Sequence, residues 1–68
     1  MDGTEIKQLR KSIKMSRREF GIEISRILGL DKPIIHTTIY RWEAGKCKPH
    51  DMFIKGIELV KHNLLNNK

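Results

Sequence analysis

Apolar residues recur along the chain at intervals of three and four rather than two, which predicts helices and no strands. Ile6, Leu9 and Ile13 share one face of a first helix that Thr4 is placed to cap, with Lys7, Arg10, Lys11 and Lys14 on its other positions. Its end near Lys14 sets cations at the negative pole of the helix dipole. Ser16 followed by Glu19 forms an S-x-x-E capping box that opens a second helix. Phe20, Ile24, Ile27 and Leu28 make the apolar stripe of that helix, and Ile22 lies off it. Gly21 interrupts it at a cost of about 1 kcal/mol relative to Ala. That cost points to a close backbone crossing where a side chain would not fit. Gly29 is a stop signal.

Asp31-Lys32-Pro33 reads as the start of a third helix, since Pro is tolerated in a first turn. Ile35, Ile39 and Trp42 follow at spacings of four and three, one buried face, and Gly45 ends the element. Lys46-Cys47-Lys48-Pro49 is a basic turn. A last helix runs from His50 or Asp51 to Asn66, with Phe53, Ile57, Val60 and Leu64 turned inward. The pattern predicts one compact all-α domain over 1–68, with four helices at about 4–14, 16–28, 32–44 and 50–66.

Composition narrows what such a domain can do. At 68 residues the chain is one small domain. Such a chain buries only about 60% of its unfolded surface, which leaves no room for a deep substrate cleft beside the core. Fourteen Lys and Arg against eight Asp and Glu give a formal net charge of +6. That excess points to a polyanionic partner, either nucleic acid or an acidic membrane surface. The membrane is disfavoured because no helix sets a broad apolar face with exposed aromatics against a Lys-rich one. No apolar run approaches the roughly 18 residues that a membrane span needs. The segment Met1–Glu5 is acidic and leads into no apolar stretch, so no signal peptide is expected, and the location expected is cytoplasmic, on the nucleoid when DNA is bound.

Cys47 is the single cysteine, so no intramolecular disulfide forms, and His36, His50 and His62 are too scattered to hold a metal. No Ser-His-Asp or Cys-His arrangement and no Gly-rich phosphate loop is present. Glu19 and Glu23 are helix neighbours at i, i+4 rather than a catalytic dyad. Neither enzymatic activity nor a cofactor is expected.

A resemblance joins these pieces. Ile6…Leu9-Arg10, then Met15-Ser16-Arg17-Arg18-Glu19-Phe20-Gly21, then Thr38-Ile39-Tyr40-Arg41-Trp42-Glu43-Ala44-Gly45 and Lys48-Pro49 come in an order that resembles the phage repressor and Cro-type helix-turn-helix regulators. It covers about residues 4 to 50. The chain departs from the family pattern with Arg17 for Gln and Gly21 for Ala. Its stretch from Gly21 to Trp42 is also longer by roughly eight residues, about two helical turns. The extra length reads as one further turn on the second helix and one at the start of the third, the alternative being an irregular loop through Leu30 to Ile35.

The resemblance implies a lambda-repressor-like fold, here with elongated second and third helices. It further implies that the third helix enters the major groove of double-stranded DNA with its N-terminal part at the base edges. With Ile35, Ile39 and Trp42 turned inward, the outward positions are His36, Thr37, Tyr40 and Arg41, the family's base-contacting positions. Arg41 could pair bidentately with guanine. Ser16, Arg17, Lys46 and Lys48 are the phosphate-contact candidates, joined by Lys32 if the third helix begins near Asp31. The resemblance also pairs Arg10 with Glu43 in a structural salt bridge.

One recognition helix spans few base pairs, so a homodimer on an inverted-repeat operator is expected. Met52, Ile54, Leu59 and Leu65 on the last helix are the candidate dimer contacts. The function this predicts is transcriptional repression or autorepression in a phage or mobile-element operon. The alternatives are an antitoxin bound to a toxin partner, control by an antirepressor-like protein, and a protein-interaction adaptor centred on Ile22, Pro33 and Ile34.

Overall fold

Reciprocal side-chain caps decide where the first two helices begin. Asp2, rather than Thr4, caps the first: the Glu5 backbone N–H donates to its carboxylate at 2.9 Å, and the Asp2 N–H donates to the Glu5 carboxylate at 3.2 Å. A capping box needs a carboxylate three residues on, and Thr4 has Lys7 there. Helix α1 therefore runs Gly3–Ser12. The expected box at Ser16 is present, with the Glu19 N–H donating to the Ser16 hydroxyl at 3.1 Å and the Ser16 N–H to the Glu19 carboxylate at 2.9 Å. It opens α2, Arg17–Leu28. In this computed structural model, residues 2–66 are described, the side chains of Leu64, Leu65 and Asn66 excepted.

Both helices close in one way. A residue in the left-handed region follows the last turn, and the next N–H reaches back five residues. For α2 that residue is Gly29 (φ 71°), with Leu30 N–H donating to the Ser25 carbonyl at 3.0 Å. For α1 it is Lys14 (φ 57°), with Met15 N–H donating to the Arg10 carbonyl at 3.2 Å. Lys14 thus lies in a turn after α1, not on the helix where its spacing had placed it.

The third helix differs most from expectation. It begins at His36, not near Lys32, and α3 spans only His36–Glu43. The irregular connection through 30–35, not helix extension, takes up the extra length at this end. Pro33 drives Lys32 toward extended backbone. The Lys32 carbonyl, which a helix would use for its own ladder, instead accepts the Ser25 hydroxyl at 2.6 Å. Ile34 N–H donates to the Gly21 carbonyl at 3.4 Å, so two bonds lay the segment along α2. A Cβ on Gly21 would overlap the Ile34 carbonyl oxygen, which is the close crossing its place in a helix had suggested.

The same extended path corrects the buried face of α3. Ile35 is 63% exposed, because successive side chains alternate sides in extended backbone, and Ile34 packs against the core in its place. Ile39 and Trp42 turn inward as expected, into a core with Ile6, Phe20, Ile24, Ile57 and Val60. Helix α4, Asp51–Asn66, supplies the last two, and Phe53 sets its ring 5.4 Å from that of Trp42. Leu64, expected inward, lies outside the residues whose side chains are described. Helix α2 packs on both α3 and α4, and α1 packs on α3. The fold is an all-α, four-helix domain with no strand among the described residues, and no helix there is long and apolar enough to cross a membrane.

Lys14 holds a backbone conformation that costs a side chain roughly 1–2 kcal/mol. Lys14→Gly should raise stability by about 1 kcal/mol and the melting temperature by about 4–8 °C. A thermal melt that stays put or falls would show that Lys14 has another use in that turn.

Candidate nucleic-acid interface

Burial of Ile39 and Trp42 fixes which way α3 faces. His36, Thr37, Tyr40 and Arg41 are all exposed and recur at one- and four-residue steps, so they share the outward side. The four base-edge candidates therefore stand together on one helix. Gly45 (φ 74°) closes α3 with Lys46 N–H donating to the Arg41 carbonyl at 2.9 Å, which turns Lys46 back beside that face, while Cys47 and Lys48 line a groove with Gly3, Trp42 and Ile54. The Lys46 ammonium lies over the Tyr40 ring, 5.9 Å from its centroid. Lys48 is exposed two residues further on.

Behind this face is a charged node. Glu43, its side chain only 3% exposed, accepts from Arg10 Nε at 2.5 Å and Arg10 Nη2 at 3.2 Å, a bidentate pair between α1 and α3. The third Arg10 donor, Nη1, reaches the Met15 carbonyl at 3.0 Å, and so ties down the turn before α2. Arg17 Nε donates to the other face of the node, Glu43 Oε1, at 3.2 Å. The Arg17 guanidinium also lies 5.3 Å from the Tyr40 ring centroid. No buried side-chain nitrogen or oxygen among the described residues lacks a partner, so the node leaves no buried polar atom orphaned.

The phosphate-contact candidates separate on this geometry. Ser16 and Arg17 stand at the N-terminus of α2, where free N–H groups favour anions. The Ser16 oxygen already accepts from Glu19, and Arg17 shares its guanidinium between Glu43 and Tyr40 while its side chain stays 38% exposed. Lys32 is exposed but sits in the connection, so the helical start that would have brought it to the outward side of α3 does not hold. Sequence reasoning missed the Arg17–Glu43 and Arg17–Tyr40 contacts, which bridge 26 and 23 residues and leave no spacing signal. It also missed the Ser25 hydroxyl as the anchor of the connection; a serine on the buried side of a helix is its only trace.

On α4, Met52 and Leu59 are 47% and 44% exposed, and their separation of seven residues puts them on one face. Ile54 is half-buried, lining a shallow groove with Gly3, Trp42 and Pro49. The Leu65 side chain is outside the described set. Elsewhere, Glu23 takes two hydrogen bonds from Arg26, and this guanidinium holds its carboxyl below the usual value. The small stability it brings is present above the ordinary carboxylate range and is lost as acid titrates Glu23 in the fold. Among the described residues no cluster of His, Cys, Asp or Glu is placed to hold a metal. Comparison with family models, with curated proteins and with solved structures finds no match for the chain.

Removing one partner of a buried ion pair strands the other. Glu43→Ala should therefore cost about 3–5 kcal/mol in denaturant unfolding, because the buried Arg10 loses its counter-charge. Arg17→Ala, at the wetter edge, should cost below about 1 kcal/mol. Equal losses for the two would contradict this division of the node.

Proposed function

We propose that this chain is a sequence-specific duplex-DNA-binding regulator of transcription, acting as a repressor or autorepressor on an inverted repeat. One observation carries the reading: α3 buries Ile39 and Trp42 and turns His36, Thr37, Tyr40 and Arg41 outward together, with Lys46 and Arg17 against the same Tyr40 ring. A helix with hydrogen-bonding and cationic groups along one exposed side has the chemistry of major-groove readout. The net charge of +6 supplies the non-specific attraction to phosphate that such readout builds on. The resemblance to phage repressor and Cro-type regulators over the same residues supports the assignment.

In this reading Arg41 takes guanine O6 and N7 as a bidentate donor, and Thr37, His36 and Tyr40 supply further edge contacts. Ser16, Arg17, Lys46 and Lys48 hold the phosphates on either side and fix the register. Arg10 and Glu43 do not touch DNA; they hold α3 at its angle. Two copies associate through the exposed Met52 and Leu59 of α4, so that two reading helices meet half-sites about 34 Å apart. A protein-docking adaptor centred on Ile22, Pro33 and Ile34 fits less well, because Ile34 is committed to the core.

Selection of bound duplexes from a random pool tests this. The wild-type chain should enrich a palindrome, and Arg41→Ala should relax its preference at one position in each half-site. Lys48→Ala should weaken all sequences alike and flatten the salt dependence by about 1. An unchanged motif with Arg41→Ala would remove α3 as the reading element.

A further inference from the structure

Ile35 is the residue around α3 that the fold does not account for. It occupies the N-cap, where Ser, Thr, Asp or Asn would offer an acceptor to the free N–H groups of the first turn, and it makes no such bond. It adds nothing to the core either, since Ile34 takes the inward side and Ile35 remains 63% exposed, the most exposed of the large apolar residues described. Its backbone is ordinary extended chain (φ −68°, ψ 142°), open to a capping residue. Stability alone would favour a different residue at this place.

What Ile35 does have is position. It directly precedes His36 and Thr37, exposed at the N-terminal end of α3, the end from which the outward positions start. A major groove presents one apolar feature to such a tip, the C5-methyl group of thymine. We propose that Ile35 is a specificity-determining residue that reads thymine through this methyl group, an inference that rests on the DNA-binding reading above. The contact needs no hydrogen bond. Ile35 and the methyl group each leave water on the other's surface, and a pyrimidine without the methyl leaves the isoleucine wet. The hydrogen-bonding contacts of Arg41 and the apolar contact of Ile35 would then read different base pairs of one half-site.

The test uses the full chain and the duplex recovered by selection, with each thymine replaced in turn by deoxyuridine, which removes only the methyl group. For the wild-type chain, one thymine per half-site should weaken binding about fourfold on replacement, the worth of one buried methyl. Ile35→Ser should bind the thymine and deoxyuridine duplexes alike at that position. It should also melt at a higher temperature than the wild type, because serine restores the missing cap. Ile35→Val, which keeps the branched methyls, should retain the discrimination. The proposal is overturned if the wild type tolerates deoxyuridine throughout, or if Ile35→Ser stays as methyl-sensitive as the wild type at every thymine. Either result leaves DNA binding itself intact. Failure of the wild type to enrich any duplex would instead overturn the DNA-binding reading and take the role of Ile35 with it.

Discussion

The carboxylate of Glu43 is the constraint on which the arrangement depends. It is the last residue of α3, almost wholly buried, and it takes three hydrogen bonds from two guanidinium groups on two other helices. A buried carboxylate is costly unless both oxygens are satisfied by opposite charge, so the three helices are held to one mutual geometry. Arg10 extends the constraint by donating to the Met15 carbonyl, which sets the turn from which α2 departs. In a 68-residue chain with a core of few side chains, such a node narrows the packings that burial alone would allow.

The node and the outward face of α3 are two sides of one construction. Arg17 bonds to Glu43 with Nε and lies over Tyr40 with its guanidinium, so the buried charge and the exposed ring are one residue apart through space. Lys46, returned by the closure of α3 at Gly45, meets the same ring. The start of α2, the face of α3 and the turn after it are therefore ordered before any partner arrives. That is the preorganisation the proposed DNA-binding surface would need if binding is not to be spent on immobilising side chains.

Much of this was legible from residue pattern. The stripes Ile6-Leu9-Ile13 and Phe20-Ile24-Ile27-Leu28 give the first two helices and their inward sides, and the Ser16–Glu19 box marks Ser16 as the cap of α2. Gly21 signalled a crossing, and its partner proved to be the Ile34 carbonyl. The start of α3 was misread because Pro33 fits both a first helical turn and an extended segment. The two bonds that fold the segment onto α2, from the Ser25 hydroxyl to the Lys32 carbonyl and from Ile34 N–H to the Gly21 carbonyl, decide between them. The misplacement of Ile35 follows directly, since a one-residue shift in extended chain exchanges inside for outside. Thr4 has the residue type of a cap, but only Asp2 has a reciprocal carboxylate, Glu5, three residues on.

The central claim is that the outward side of α3, held in place by Glu43, is the surface that meets DNA. Titrating the isotope-labelled chain with its selected duplex, and following the backbone amides by NMR, tests it most directly. The largest shifts should fall at residues 35–41, at Ser16 and Arg17, and at Lys46 and Lys48, with Lys7 and Lys11 on α1 unmoved. Shifts concentrated on α1, with α3 silent, would contradict the account.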